Sequence, residues 1–400
     1  METRPDALFV APEAPYPAIG GGSLRAASLV EFLARNRRVH LVLFREPGAP
    51  DPAVAIPEGR VARVDVIDLP FHSKTSSARI ARNLSRVLRG VPPLVDRFAG
   101  FGDRLRELIA AKHYDVAILD HFWCAPYVEQ VRPHAQRVLV DLTDVDSAWH
   151  ESMAERARFF EAAAHRRFAT AARRLEQRLL RQFDGILVTS AHDAEQIRPM
   201  VPGSTITIYP NALPEVPAPT RDERSGIAFS GNLEYAPNIE AIRFFRDRIW
   251  PQIRPRPGLK WRIIGKNAHA IHDLVAGDPQ VEITGFVEDA IATLASAQIA
   301  VVPVLSGSGT RVKILEAWAA ATAVVSTTFG AQGLIIKNGE DLVVADDPRE
   351  FAAIISQLLD CPAERHRIGW HGRAVYERRY TWRAAWERLG PVFETAGDQR

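Results

Sequence analysis

Short apolar runs alternate along this chain with longer stretches whose apolar residues recur at helical spacing. In the first half, residues 7–11, 38–44, 61–70, 115–120, 137–142 and 185–189 read as strands. A helix carrying Leu24, Ala27 and Leu29 to Leu33 joins the first two, with Ser23 as its N-cap. Residues 74–106 and 147–183 read as helical, and Ser190 caps the helix after the last strand. In the second half, residues 227–230, 259–265, 281–285, 299–305 and 323–325 read as strands. Helices begin at Pro237 and Thr310, and two more cover 348–378 and 381–394. Strand–helix–strand units of this kind close as right-handed parallel crossovers, so the pattern predicts an α/β protein. Residues 208–226 hold four prolines and little periodicity, which is linker composition and divides the chain in two.

The unit over 298–327 carries the chemistry. Its strand ends in Ser306-Gly307-Ser308-Gly309, and Thr310 opens a helix that buries Ile314, Leu315, Ala317 and Trp318. The first amides of a helix have no partner within it and carry partial positive charge. Glycines admit an anion to the backbone, and Arg311 and Lys313 add two full charges, so a phosphate or diphosphate suits this end. Glu316, three residues after Lys313, can accept hydrogen bonds from a diol such as a ribose. The bland alternative is a chain-turning loop, a solvated Lys313–Glu316 pair and a surface arginine. A dinucleotide site would require a carboxylate about 20 residues on, at the end of the next strand. That strand ends Ser326-Thr327-Thr328, which excludes it. The same loop-into-helix logic recurs at Gly20-Gly21-Gly22, with Arg25 one turn in, and strand ends again carry Gly231-Asn232 and Gly265-Lys266.

Composition narrows the partners. A net charge of +2 argues neither for nucleic acid nor for a strongly acidic partner, no nucleic-acid partner is expected, and no apolar run approaches membrane-spanning length. The apolar segment near the N-terminus is too short for a secretory signal. Cys124 and Cys361 show no metal spacing and are expected as free thiols in the cytoplasm. Charge is uneven, however. Residues 74–106 hold eight basic side chains against Asp96 and Asp103. This is either a solvated helix face or a surface for an anionic acceptor or membrane leaflet, where each basic residue contributes about 1 kcal/mol. His121 directly follows the strand over 115–120, which sets it at the ligand-facing end of that strand. Phe122 and Trp123 beside it suit either sugar stacking or packing. The three aspartates of 141–147 are expected to supply a helix N-cap, Asp144 or Asp146, in preference to a metal site.

The residues GSGTRVKILEAWAAATAVVST over 307–327, with FGAQGL at 329–334 and GNLEYAPN at 231–238, resemble the donor-binding segments of glycosyltransferase family 4. The resemblance implies the GT-B fold, two Rossmann-like domains with parallel sheets facing an interdomain cleft that closes on its substrates. The boundaries are 1–210, a linker over 211–225, and 226–378. Residues 379–400 form a last helix, carrying Trp382 and Trp386, that returns to the first domain. It implies a retaining transfer of a sugar from a nucleotide-diphosphate sugar, with no further cofactor and no metal. Gly309, Thr310, Arg311 and Lys313 would hold the diphosphate and Glu316 the ribose. Gly21, Gly22, Asn232 and Gly265 would line the donor, Phe286 and Val287 the base, and His121 the transferred sugar. The acceptor would be a glycan, a lipid-linked sugar or a small molecule. The protein would be cytoplasmic, with peripheral contact at the inner membrane face through 74–106 as a further expectation. Two departures stand out. Ser308 occupies the position of a family glutamate, and the 231–238 loop lacks the family's basic pair. They leave a catalytically silent scaffold as one alternative; a GT-B epimerase or phosphorylase, which would share the fold, is another.

Overall fold

The computed structural model describes residues 4–73, 75–220, 224–307 and 312–393, with Ser76 described by its backbone only. The chain divides into two compact units, 1–210 with 386–400, and 211–385.

The first unit is built on seven parallel strands in the order β3-β2-β1-β4-β5-β6-β7. They are β1 Asp6–Ala11, β2 Arg38–Arg45, β3 Arg63–Asp68, β4 Tyr114–Asp120, β5 Ala135–Leu142, β6 Gly185–Val188 and β7 Ile206–Ile208. Phe9 of β1 lies in register between Leu41 and Ile118. Central strands covered by helices on both faces must be apolar at nearly every position, which is why 7–11 is buried throughout. Strand order reverses between β1 and β4, and ligands of open parallel sheets bind at such a reversal, beyond the strands' carboxyl ends. Helix α1, Gly21–Ala34, follows β1 there.

The second unit holds six parallel strands in the order β10-β9-β8-β11-β12-β13. These are β8 Ile227–Ser230, β9 Trp261–Ile264, β10 Val281–Gly285, β11 Ile299–Val302, β12 Ala323–Ser326 and β13 Val343–Val344. The reversal falls between β8 and β11, and the helix Val312–Ala319 follows β11.

Several expected elements differ in detail. The N-cap of α1 is Gly20, at φ 95, while the Ser23 hydroxyl donates to Ile19 O one turn back. The helical stretch over 74–106 is three helices, α2 Ser76–Arg89, α3 Pro93–Arg97 and α4 Gly102–Ile109. Gly90 in the left-handed conformation ends α2, and Pro93 begins α3. The run over 147–183 is two helices, Asp146–Arg156 and Phe159–Leu179. Pro362 starts a new helix inside 348–378, and Trp382–Trp386 and Gly390–Phe393 share the last stretch.

In the second unit the proline-rich segment is tied down. The Tyr376 hydroxyl donates to Pro214 O at 2.6 Å, and Arg373 Nη2 to Val216 O at 2.6 Å. In the first unit Trp386 Nε1 donates to Ser28 O at 3.1 Å, and Phe393 packs edge-on against Phe32.

Candidate functional site

In the second unit the strand ends meet too closely for side chains. A Cβ at Gly265 would stand 1.8 Å from Gly231 O, and one at Gly231 would stand 2.7 Å from Asn238 Nδ2. Both positions therefore require glycine. The loop after β8 is held by its asparagines. Asn232 Oδ1 accepts the Glu234 amide at 3.2 Å and Asn267 Nδ2 at 2.9 Å, while Asn238 Nδ2 donates to Asn232 O at 2.7 Å.

Lys313, in the first turn of Val312–Ala319, reaches across to this loop. Its Nζ donates to Asn238 Oδ1 at 2.6 Å and lies 4.2 Å from the centre of the Phe229 ring. One turn on, Glu316 Oε2 accepts the Ser230 hydroxyl at 3.2 Å. Burial pushes the Glu316 carboxyl up from its ordinary value, and the Ser230 hydrogen bond and the Lys313 charge work against that shift. A lysine, a carboxylate and two glycine strand ends thus converge at the β8–β11 reversal. Ser306 donates to Glu240, and a Cβ at Gly307 would stand 3.1 Å from the Pro237 ring, so the β11 loop rests on the β8 loop. At the end of β10, Phe286 is exposed and Val287 half-buried, and Gly265 N donates to Gly285 O at 2.9 Å. Ser308, Gly309, Thr310 and Arg311 lie outside the described residues.

In the first unit, Gly21 and Gly22 are the opening residues of α1, so their amides face outward from a 14-residue helix. His121 follows β4 at φ 62, a strained conformation for a residue with a Cβ. A Cβ on Gly22 would lie 3.7 Å from His121 Nε2, which brings these two expected residues together at the β1–β4 reversal. The His121 Nδ1 is 3.0 Å from Asp120 Oδ2. Burial disfavours the imidazolium, but the Asp120 carboxylate outweighs it and raises the pKa to about 9. That shift favours the imidazolium at neutral pH. Phe122 is buried, and Trp123 stacks on Phe98 with the rings at 5° and contacts the His121 ring, so both serve packing.

Arg25 is neither a phosphate ligand nor a surface residue. It is buried, with Nε 2.7 Å from Asp141 Oδ2, Nη2 2.5 Å from Asp141 Oδ1, and Nη1 donating to Tyr209 O. Burial opposes its charge and Asp141 restores it. Neither Asp144 nor Asp146 caps the helix Asp146–Arg156. The N-cap is Val145, and the Ser147 amide is taken at 3.0 Å by Glu176 Oε1 from the helix Phe159–Leu179. That cap and the Lys313–Asn238 and Arg25–Asp141 contacts join residues distant in sequence. The sequence holds Asn238 and Asp141 but nothing in it pairs them with Lys313 and Arg25.

Residues 224–361 match the family model described as glycosyl transferases group 1. Over 112 residues the chain is 33% identical to the MMP alpha-(1->4)-mannosyltransferase of Mycolicibacterium hassiacum, a stretch covering 27% of each. Over 115 residues it is 30% identical to the GDP-mannose-dependent monoacylated alpha-(1-6)-phosphatidylinositol monomannoside mannosyltransferase of Corynebacterium glutamicum, covering 27% of this chain and 30% of that one. The chain thus spans less than a third of the length of either of these curated relatives. Likeness to solved structures extends over nearly the whole chain. The sucrose-phosphate synthase of Thermosynechococcus elongatus superposes with a TM-score of 0.73 at 18% identity, covering 98% of both chains. HepE of Anabaena, in complex with UDP, gives 0.68 at 12% identity, covering 97% of this chain and 99% of that one.

Proposed function

We propose that this chain, which has the GT-B fold and whose residues 224–361 match glycosyl transferases group 1, transfers a sugar from a nucleotide-diphosphate sugar to an acceptor hydroxyl. The observation that carries the reading is the convergence of Lys313 Nζ on Asn238 with the Glu316 carboxylate on Ser230, at the strand-order reversal of the second unit. A diphosphate needs the cation and the helix amides, and a ribose needs the carboxylate. The bond between the anomeric carbon and the diphosphate oxygen breaks, and the acceptor oxygen bonds to that carbon. The acceptor's proton ends on the departing diphosphate, and we assign retention of anomeric configuration. The protein's main contribution is electrostatic stabilisation of the leaving group by Lys313, Arg311 and the amides of Gly309 and Thr310. Phe286 and Val287 are assigned to the base. In the first unit, the imidazolium of His121 and the amides of Gly21 and Gly22 are assigned to the transferred sugar and its leaving oxygens. The acceptor is a glycan, a lipid-linked sugar or a small molecule.

The relatives are mannosyltransferases, one of them GDP-mannose-dependent by name, and HepE was solved with UDP. A panel of UDP- and GDP-sugars is therefore the test. One member should raise the thermal midpoint by mass action, and nucleotide release from it should depend on Glu316. Glu316→Gln should keep the fold and lose donor binding. No stabilisation by any member of the panel would sink the proposal, as would undiminished turnover in Glu316→Gln. A non-catalytic scaffold remains the second reading, favoured by Ser308 at the family's glutamate position. It predicts donor binding without release of nucleotide.

A further inference from the structure

In the second unit, Asp341 is a buried carboxylate without a balancing charge. It is only 7% exposed, and among the described residues no basic side chain pairs with it. Its one hydrogen bond is from the Lys337 amide to Oδ2 at 2.9 Å, which leaves Oδ1 with none. Buried charges are ordinarily paired or bound to a metal. The surroundings hold Asp341 firmly in place. A turn with Gly339 at φ 78 presents it to the helix Pro362–Arg379, and the Trp318 indole donates to Asp341 O at 2.9 Å. On that helix, a Cβ at Gly372 would stand 2.2 Å from Trp318 Cδ1 and 2.9 Å from Asp341 O. Glycine there lets the helix close on the turn, and the neighbouring His371 arrives beside Asp341. One carboxylate oxygen each from Glu340 and Asp341 and one ring nitrogen of His371 lie within 4.8 Å of one another.

We infer that Glu340, Asp341 and His371 bind a zinc ion that clips the turn to the helix. Two carboxylates and an imidazole make the mixed oxygen and nitrogen set that zinc accepts. Zinc bonds of about 2.1 Å set neighbouring ligand atoms roughly 3.4 Å apart. Asp341 is fixed, but Glu340 and His371 are exposed, so rotation of two surface side chains closes the difference. Lys337 Nζ lies 3.5 Å from Glu340 Oε2, an exposed pair of a kind that holds weakly and that an ion can displace. Beside the three ligands runs a cleft of about 470 Å3, with room for the ion's remaining ligands. Arg378 and Arg379 also line it and oppose a cation. Mg2+ and Ca2+ rely on oxygen ligands alone and should not overcome that charge. Zinc, bound partly through a ring nitrogen, is the better fit. The inference is independent of the proposed transfer reaction, since the ion is read without any donor.

The test is calorimetric titration of the full chain, first stripped of metal by a chelator, with zinc chloride and with magnesium chloride. Thermal midpoints are measured in the same salts. A zinc-binding site and a midpoint raised by zinc are expected, with no response to magnesium. His371→Ala and Glu340→Gln alter exposed side chains, so each should keep the zinc-free midpoint and weaken zinc binding by about tenfold or more. Asp341→Asn keeps an acceptor for the Lys337 amide and should remove the site. Should that variant unfold, the two exposed variants still decide the matter. No zinc binding by the wild type overturns the inference. Zinc affinity unchanged in both His371→Ala and Glu340→Gln also overturns it, as an adventitious ion only.

Discussion

Lys313 Nζ is held 2.6 Å from Asn238 Oδ1, across the gap between the helix after β11 and the loop after β8. The ammonium has three donors, and this hydrogen bond engages one of them. It also fixes a flexible side chain, so little further ordering is required when an anion arrives. Lys313→Met should lower kcat/KM with the accepted nucleotide sugar by about a hundredfold, equivalent to roughly 3 kcal/mol of lost leaving-group stabilisation. Asn238→Ala removes only the positioning contact and should cost about tenfold, or roughly 1.4 kcal/mol, near the low end of the range of about 1.5–3 kcal/mol for a hydrogen bond to a charged group. Steady-state kinetics of nucleotide release separates the two. Equal, small losses would show that Lys313 is a structural cation.

The His121–Asp120 pair predicts a pH dependence. The folded-state pKa of about 9 lies above the ordinary 6.5. A raised cation contributes stability that is fully present below pH 6.5 and lost as pH rises through about 9. The shift corresponds to roughly 3 kcal/mol at 1.36 kcal/mol per unit. Thermal midpoints of the wild type should fall between pH 6.5 and 9 more steeply than those of His121→Asn. Asp120→Asn should move the fall to lower pH, because the carboxylate sustaining the imidazolium is gone. Parallel curves for wild type and His121→Asn would refute the assignment.

The central strands were legible because both faces are covered and every position must be apolar, as along 7–11 and 299–302. The edge strands β7 and β13 were not. Their residues are half-buried and they run to three residues or fewer, so neither hydrophobic period develops. The glycine loops announced where ligands would approach, since close backbone contact excludes a side chain at Gly231 and Gly265. Which polar residues would meet was a different matter. Lys313 and Asn238 are 75 residues apart, and Arg25 and Asp141 are 116 apart. Only the folded sheet brings such pairs together. Ser23 looked like a cap by residue type, yet the helix begins three residues earlier because Gly20 can adopt φ 95 without strain.

The Arg25–Asp141 pair is fully buried and bidentate, and the arginine also donates to Tyr209 O. Removing one partner strands the other's charge in the core. Arg25→Met should therefore cost about 3–5 kcal/mol, and Arg25→Met/Asp141→Leu should recover much of that loss. Urea unfolding of the three proteins makes the comparison. A single variant no less stable than the double would show that Asp141 finds water or another cation.

Gly265 and Gly22 should respond oppositely to alanine. At Gly265 the added Cβ would stand 1.8 Å from Gly231 O, a backbone atom that cannot step aside. The two strand ends must separate, and overpacking of this kind typically costs about 1–3 kcal/mol. The separation would also displace the Gly231 loop that sets Asn238 opposite Lys313, so donor binding should weaken along with stability. At Gly22 the nearest atom to an added Cβ is His121 Nε2, at 3.7 Å, an ordinary contact. Gly22→Ala should therefore keep its thermal midpoint, or gain slightly from a better helix former in α1. Its effect should fall on turnover, because the methyl group would cover the outward amides and the imidazole edge together. Thermal midpoints paired with donor titrations distinguish the cases. A stable Gly265→Ala with full donor affinity would mean that the strand ends can part without disturbing the lysine.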